Sequence, residues 1–388
     1  MEFRHSENQS LIASSAADFL AEISDSAAVR SAMESEQGFH PETWRAVTLD
    51  MGWQLTHIPE AQGGLGLGFV ELATLLESMG RHLLCAPFFS TVCLGANALL
   101  VAGREEQQSH HLGMITGEGR RYAMAYASRG RHWGCASVTT EWVKEAGEFV
   151  INGHYEPVVD GHTADTLILA ARLAGTQGTQ GLALFVVDAD HPGIHRQFRP
   201  GMDQTRKQAV ITCTDLRLPP AAVMRDPGQA GPLLETILSL AGVCMAAEQL
   251  GIAERSLELA VEYIRERHQF GRPVGSFQAL KHKAADMMVR AESARSAAYY
   301  AACIADEWSS GGDLGSELHE AASIARACCA DAAFDNAAEA LQLHGGAGFT
   351  WEYDIHLYLK RAKASQHLLG DAPWHRERIA RQLLDLPS

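Results

Sequence analysis

Two separated segments of the chain contain residue types that suit a phosphorylated nucleotide. Arg267 is followed closely by Phe270, and Gly345 and Gly346 stand together further along the chain. An arginine guanidinium presents a planar fork of donors that can pair with the charges of a pyrophosphate. Glycines have no β-carbon, so their backbone can approach a nucleotide closely, and the ring of Phe270 could lie against an adenine. Together these residues indicate a clamp for a nucleotide and its pyrophosphate.

The same residues also have a purely structural interpretation. Arg267 and His268 come at the end of a predicted helix, where positive side chains complement the helix dipole. Gly345 and Gly346 could simply end the helix that precedes them. Either segment taken alone favours this interpretation, whereas their joint occurrence favours nucleotide binding.

The combined motifs closely resemble the flavin adenine dinucleotide (FAD) signatures of the acyl-CoA dehydrogenase family. Arg265–Pro273 is similar to the family's Arg-x-x-Phe-Gly element, Phe277 and Gln278 follow it, and Gln342–Phe349 contains Gln-x-x-Gly-Gly. The resemblance covers nearly the whole chain and implies FAD as the cofactor. In this family such residues reach a cofactor that is held mainly by a neighbouring subunit. The implied FAD-contacting residues are Arg267, Phe270, Gly271, Gln278, Gln342, Gly345 and Gly346.

The chain departs from the family at the catalytic base. The family usually has a glutamate before a glycine about two dozen residues after the double glycine, but here Leu369 precedes Gly370. A leucine cannot remove the α-proton of a thioester. Some family members supply the base from an earlier helix, at a position that aligns with Ala241. We therefore assign no catalytic residue; Glu248 and Asp371 are the remaining candidates for a relocated base, and both are disfavoured.

The half of the cofactor site that would hold the flavin ring also departs from the family. Members commonly carry a Thr-Glu-Pro-Gly-x-Gly-Ser-Asp-like loop, which the segment Tyr126–Trp133 matches poorly. They also place a tryptophan and a threonine shortly after an Asn-Gly pair. Here Pro157 takes the place of the stacking tryptophan, and Val159 replaces the hydroxyl that would bond to the flavin.

Three segments with different sequence patterns would position these residues. Apolar residues return every three or four positions from Phe69 to Met79, which predicts a helix within an N-terminal helical domain over residues 1–117. Short alternating runs such as Glu148–Ile151 and Thr166–Leu169, separated by turn residues, predict a middle β domain over 118–231.

Long amphipathic segments return after Pro232 and predict a helical domain over residues 232–388. The predicted fold class is therefore α+β and mostly α. The resemblance implies the acyl-CoA dehydrogenase fold, with a helical domain, a β domain and a C-terminal four-helix bundle. The predicted helices of the last domain are roughly 233–268, 276–308, 315–343, 352–367 and 374–384.

Composition limits the classes of function. The 388 residues carry a net charge of −15, which argues against a broad nucleic-acid-binding surface. The chain has no uninterrupted apolar run of the length of a membrane span and no apolar signal core behind its first residues, so we expect a cytoplasmic protein without a membrane span. Eight scattered cysteines and eighteen histidines lack the spacing of a metal site, so we expect no metal.

Three functional hypotheses follow. The favoured one is a subunit of a heteromeric acyl-CoA dehydrogenase, of α2β2 type, in which a paralogous chain supplies the base and holds most of the FAD. Its other partners would be an acyl-CoA thioester and an electron-transfer flavoprotein or similar acceptor, and steroid degradation is one role open to it. The second is a self-sufficient homotetrameric dehydrogenase with a relocated base. The third is an acyl-CoA-binding or structural protein without redox chemistry.

Overall fold

The chain folds as two units, in each of which segments distant in sequence come together. The computed structural model describes residues 6–128, 130 and 133–384. One unit contains the residues up to Ser31, Phe69–Leu84 and the chain from Gly242 onward, and we call it the helical unit. The other contains Ala32–Gly68 and Cys85–Ala241, and we call it the sheet unit. The three sequential domains 1–117, 118–231 and 232–388 remain a prediction.

Helices dominate the secondary structure. Short π-helical stretches cover Ala46–Asp50 and Phe89–Ala96, and brief 3-10 turns occur between the longer elements. The α-helices of the described residues are α1 (Glu7–Ile23), α2 (Ser26–Glu34), α3 (Pro41–Arg45), α4 (Phe69–Arg81), α5 (Asn97–Ala102), α6 (Glu105–Glu118), α7 (Gly231–Glu266), α8 (Gln278–Ser309), α9 (Gly315–His344), α10 (Ile355–Gln366) and α11 (Ala372–Leu383).

A seven-stranded sheet forms the core of the sheet unit. Its strands are β1 (Tyr122–Ala125), β2 (Glu141–Glu145), β3 (Glu148–Val159), β4 (Thr166–Leu173), β5 (Leu182–Asp188), β6 (Ile194–Arg199) and β7 (Gln208–Leu218). The order is β1-β4-β2-β3-β7-β6, and β5 pairs with β4. β1 and β2 run parallel to β4, whereas β2–β3, β3–β7, β6–β7 and β4–β5 are antiparallel. Strand β4 is buried from Thr166 to Arg172, as expected for a strand covered on both faces.

Close backbone contact between α4 and α7 organises the helical unit. A β-carbon built on Gly80 would lie 2.0 Å from the carbonyl oxygen of Glu248, and one built on Gly251 would lie 1.9 Å from that of Glu77. No larger residue fits at either position without moving a backbone. The crossing therefore requires glycine on both helices.

The structure confirms the predicted fold class, with a β-sheet segment between two helical stretches of sequence. The observed ends of α7 to α11 differ from the predicted ones by at most three residues. A short hairpin after α7, formed by β8 (His268–Gln269) and β9 (Arg272–Pro273), was not expected as a strand pair. α7 is long and apolar enough to cross a membrane, but 94% of its most apolar window is buried within the protein. A buried core helix accounts for its composition.

Candidate functional site

The hairpin that follows α7 presents Phe270 at its tip. Gln269 pairs with Arg272, so Phe270 and Gly271 form a two-residue turn, and their φ angles of 55° and 75° are both positive. A type I′ turn requires this conformation, which is unfavourable for a bulky side chain. Phe270 is nevertheless 89% exposed, so packing within the described chain does little to offset the strain. Strained, exposed residues of this kind occur at ligand-binding sites.

Arg267 is held by its backbone and leaves its side chain exposed. Its amide nitrogen donates to the carbonyl of Tyr263 at 2.9 Å, and its own carbonyl accepts from the amide of Val274 at 2.8 Å. Among the described residues, its guanidinium makes no hydrogen bond or ion pair. Arg265 lies in the last turn of α7, and Arg267 comes after it. The fold therefore leaves the cationic group of Arg267 available to an anion from outside.

The two adjacent glycines after α9 differ in whether the fold itself requires a glycine. Gly345 has φ 59° and ψ −140°, a conformation that strongly favours glycine. Gly346 is outside the left-handed region, and a β-carbon built on it would meet no atom within 4 Å. The helix-ending interpretation therefore explains Gly345 but not Gly346. Gln342, one turn earlier, is exposed on the same helix end.

An aromatic cluster brings the two motifs together. Tyr263, one turn before Arg267, stacks on His344 with ring centres 4.3 Å apart and an interplanar angle of 23°. Tyr353 contacts both rings edge-on, at 5.8 Å and 5.6 Å. His344 is buried and its Nδ1 donates to the carbonyl of Ala340 at 2.7 Å, which fixes the ring. The end of α7 and the end of α9 are thereby neighbours.

The start of α8 joins the same region. Phe277 precedes Gln278, the exposed first residue of α8, and its ring meets that of Phe270 edge-on with centres 6.1 Å apart. The guanidinium carbon of Arg272 lies 4.1 Å from the centre of the Phe277 ring. The family resemblance implied every proposed contact residue. It did not indicate Tyr263 and Tyr353, which align the end of α7 with the end of α9. Only the spacing of Tyr263, four residues before Arg267, could have suggested it.

The turn where the family places its base is built from backbone contacts. Arg326 on α9 is fully buried, and its Nη2 donates to the carbonyls of Leu368 at 2.7 Å and Gly370 at 3.1 Å. The same nitrogen reaches the carbonyl of Ser365 at 3.2 Å, and Nη1 bonds to Gln249. Ser365 lies in the last turn of α10, where a helix leaves carbonyl acceptors without partners, and Leu368 and Gly370 follow the end of that helix. Sequence analysis did not identify Arg326, because a lone arginine in an alanine-rich helix carries no signature.

Leu369 lies within this turn and is buried, with φ 62°. Its carbonyl accepts a hydrogen bond of 3.1 Å from Nε2 of His375. Burial, followed by the nearby charge of Arg326, lowers the pKa of His375 to about 2. The ring is therefore neutral and donates from Nε2, since a carbonyl can only accept. No group in these contacts could act as a base toward a ligand.

The carboxylates of both candidates for a relocated base are engaged in contacts within the fold. Glu248 forms an ion pair of 3.1 Å with Arg361, and the two side chains are only 3% and 2% exposed. Asp371 accepts from the amide of Trp374 at 3.0 Å and caps the N-terminus of α11. Ala241, at the alternative family position, is fully buried. Both carboxylates thus have structural roles.

Strand β3 contains a β-bulge at the segment in which Pro157 and Val159 replace the family's flavin contacts. The register of β3 against β7 shifts between Tyr155 and Val158, so Pro157 lies in the bulge, where a strand tolerates proline. Val159 is buried and pairs with Gln208. Its side chain offers no hydrogen-bond donor. Of the poorly matching loop, Arg129, Arg131 and His132 lie outside the described residues.

Comparison with known proteins gives consistent results over the whole chain. The family profile "Acyl-CoA dehydrogenase, C-terminal domain" matches residues 232–384, and "Acyl-CoA dehydrogenase, N-terminal domain" matches residues 6–118. The acyl-CoA dehydrogenase IpdE2 of Mycolicibacterium smegmatis is 32% identical over 94% of this chain and 95% of its own length.

Two solved structures with paired names are also similar. The ChsE4-ChsE5 complex from Mycobacterium tuberculosis is 25% identical, with a TM-score of 0.87 over all of both chains. A variant of the Tcur3481-Tcur3483 steroid ACAD is 27% identical, with a TM-score of 0.85 over 98% of each chain.

The Arg326 contacts lead to a prediction for stability. Arg326→Lys should lower the free energy of unfolding by about 2–4 kcal/mol, because one ammonium cannot reach the carbonyls of the turn and Gln249 together. Urea unfolding followed by circular dichroism measures the loss. Arg376→Lys is the matched control, since Arg376 forms an exposed ion pair with Asp331 and should change stability by less than about 1 kcal/mol. Equal effects of the two substitutions would contradict a structural role for Arg326.

Proposed function

The chain belongs to the acyl-CoA dehydrogenase family, and from this membership we propose that it is the cofactor-clamping subunit of a heteromeric enzyme. The family's enzymes are oxidoreductases, and FAD is their cofactor. FAD, when bound, would supply the acceptor for a hydride from the β-carbon of an acyl-CoA thioester, with a base to take the α-proton. In our proposal this chain holds the nucleotide half of an FAD, and a paralogous partner supplies the base.

The observation that carries the proposal is a set of groups that the chain's own fold does not use. Arg267 has an exposed guanidinium without a partner in the described structure, and Gly346 is small although neither its backbone nor its neighbours require it. Phe270 is strained and exposed beside them. A pyrophosphate approaching from another subunit would pair with Arg267 and pass close to Gly346. Gly271, Gln278, Gln342 and Gly345 complete the proposed FAD contacts.

The remaining residues of the site support an active site that is divided between two chains. Leu369 replaces the base, and the carboxylates of Glu248 and Asp371 are engaged in an ion pair and a helix cap. Pro157 and Val159 offer the flavin ring neither a stacking indole nor a hydroxyl. These observations disfavour a self-sufficient homotetramer. The exposed guanidinium of Arg267 beside the hairpin supports a retained nucleotide site over a protein that binds no cofactor.

The similar proteins suggest the finer assignment. The ChsE4-ChsE5 and Tcur3481-Tcur3483 names each join two chains, which supports an α2β2 assembly for this one. The second name includes a steroid, so a bulky acyl-CoA is the substrate class we propose. An electron-transfer flavoprotein would accept the electrons, and the complex would act in the cytoplasm.

Flavin content tests the division of the site. The isolated chain should retain little FAD, and its complex with a paralogous chain should carry fewer flavins than subunits, because only one kind of chain holds the ring. Flavin absorbance divided by protein concentration, measured for the chain alone and after co-expression, gives the ratio. A homogeneous homotetramer with one tightly bound FAD per chain would refute the proposal.

Two substitutions test the clamp. In the complex, Arg267→Ala should weaken FAD retention by about 1.5–3 kcal/mol, the contribution of charge-assisted hydrogen bonds, and Arg267→Lys should recover only part. Gly346→Ala should also weaken retention while leaving the free energy of unfolding within about 0.5 kcal/mol, since its new methyl group meets open space in this chain. Unchanged FAD retention with a large drop in melting temperature would instead favour the helix-dipole interpretation.

The absence of a base in this chain is tested by turnover. Glu248→Gln and Asp371→Asn should each leave the turnover of the complex within a few-fold of wild type, whereas loss of a general base costs about a hundredfold or more. Glu248→Gln should lower stability, because Arg361 loses its buried counter-charge. Asp371→Asn is the milder control, since asparagine also caps helices. A hundredfold loss of turnover in Glu248→Gln, with FAD content and assembly intact, would make this chain the catalyst.

A further inference from the structure

One face of α8 carries apolar side chains that the chain's own fold does not cover. Met288 is 57% exposed and Val289 is 65% exposed, although both lie in the interior of a 32-residue helix. They line an open groove of about 480 Å³, together with the small residues Ala285, Ser293 and Ser296. Large apolar side chains beside small ones on an exposed helix face are typical of a surface that packs against another helix.

The opposite side of α8 packs within the helical unit. Ala291 is buried there. The guanidinium of Arg290 donates to the side chain of Asn336 on α9 at 3.0 Å, and Arg295 pairs with Glu77 on α4 at 3.3 Å. These contacts hold α8 in place, so its exposed face belongs to a fixed element of the fold.

Four residues form a narrow stripe along this exposed face, and we call Lys281, Ala285, Met288 and Glu292 the α8 stripe. All four are exposed. Their spacings of four, three and four residues place them within about 60° of one another around the helix axis, over a length of about 16 Å. Because the spacings are the same from either end, the stripe is symmetric in position about its midpoint.

The two halves of the α8 stripe are complementary in charge and in size. In an antiparallel pair of these helices about the midpoint, Lys281 of each copy lies opposite Glu292 of the other. Ala285 likewise lies opposite Met288, so a small side chain meets a large one. Among the described residues, neither the ammonium of Lys281 nor the carboxylate of Glu292 makes a hydrogen bond or an ion pair. Both charged groups are therefore available to a second copy.

We propose that the α8 stripe binds the α8 stripe of a second copy of this chain, as an antiparallel pair with twofold symmetry. A twofold contact between identical chains requires a surface that is complementary to itself, and the positions and residue types of the stripe meet this requirement. Met288 and Ala285 form the apolar centre of the contact, and the pairs of Lys281 with Glu292 lie at its two ends. A parallel pair in register would instead place like charges opposite each other.

This contact is separate from the proposed FAD clamp. The α8 stripe contains none of the proposed FAD contacts, and it joins two copies of this chain rather than this chain and a paralogue. An α2β2 assembly contains two such copies, so the pairing is compatible with the proposed function without depending on it. The mass of the isolated chain tests the pairing, whereas flavin content tests the proposed function.

The first test measures the mass of the isolated chain at micromolar concentration by sedimentation or light scattering. The wild type should be at least a dimer, and Met288→Glu should halve its mass, because a carboxylate at the apolar centre would lose its water on pairing. Met202→Glu is the matched control, since Met202 is 55% exposed in the sheet unit and its substitution should keep the wild-type mass. A monomeric wild type, or an unchanged mass in Met288→Glu, would overturn the proposal.

Charge reversal tests the antiparallel register. Lys281→Glu and Glu292→Lys should each weaken self-association by about tenfold or more, because each places like charges opposite each other twice in the dimer. Combining the two substitutions should recover most of the affinity, since both pairs of opposite charge are restored with their positions exchanged. Asp286→Lys changes the net charge by the same amount as Glu292→Lys, but Asp286 is exposed on another side of α8 and its substitution should have little effect. Additive losses in the double variant would contradict the proposed register.

The competing occupant of the α8 stripe is a paralogous chain. In that case the isolated wild type would be a monomer, and Met288→Glu would abolish its complex with the co-expressed paralogue. This result would assign the stripe to the other chain and overturn the pairing of identical copies. Circular dichroism spectra and melting temperatures close to those of the wild type show that each variant is folded, as expected for substitutions of exposed residues.

Discussion

The geometry of the helical unit depends on two buried arginines held by adjacent residues of α7. Glu248 pairs with Arg361 of α10, and Gln249 bonds to Arg326 of α9. A buried guanidinium destabilises a fold unless its donors are satisfied, so each contact restricts where its helix can lie. Because Arg326 also donates to carbonyls after α10, the same contacts set the turn at Leu369. The glycine crossing lies beside these residues and fixes how closely α4 approaches α7.

This arrangement explains why the acidic residues near the expected site are poorly placed to act as a base. A general base needs a carboxylate that can approach its substrate and change its protonation state, whereas Glu248 is enclosed by its ion pair. Arg267 shows the opposite behaviour: its backbone is fixed at both sides, but its charge has no partner in the described structure. A charge that is paired within the fold, as in Glu248, therefore indicates a structural residue. The charge of Arg267, which has no partner in the described structure, indicates a candidate binding residue.

Much of the fold could be predicted from the sequence, because α7 to α9 are long segments with glycine or proline close to their ends. The predicted α7 ran two residues too far, into a hairpin whose turn residues, Phe270 and Gly271, lack the usual Asn-Gly signal. The family resemblance supplied the candidate contact residues, but no sequence pattern revealed the stacking of Tyr263 on His344. The Arg326 contacts were equally hidden, since they join residues about 40 positions apart through main-chain carbonyls, which carry no residue identity.

The dependence on main-chain carbonyls also explains how the turn forms with a leucine at residue 369. Arg326 and His375 bind the carbonyl oxygens of Leu368, Leu369 and Gly370, and these bonds are the same whatever side chain residue 369 carries. A glutamate there would have to remain solvated or paired, whereas a buried leucine satisfies its surroundings without a partner. The turn therefore does not depend on a glutamate at this position. Division of one active site between two related chains is physically simple in such a fold, because one chain can lose the base while its clamp residues keep their positions.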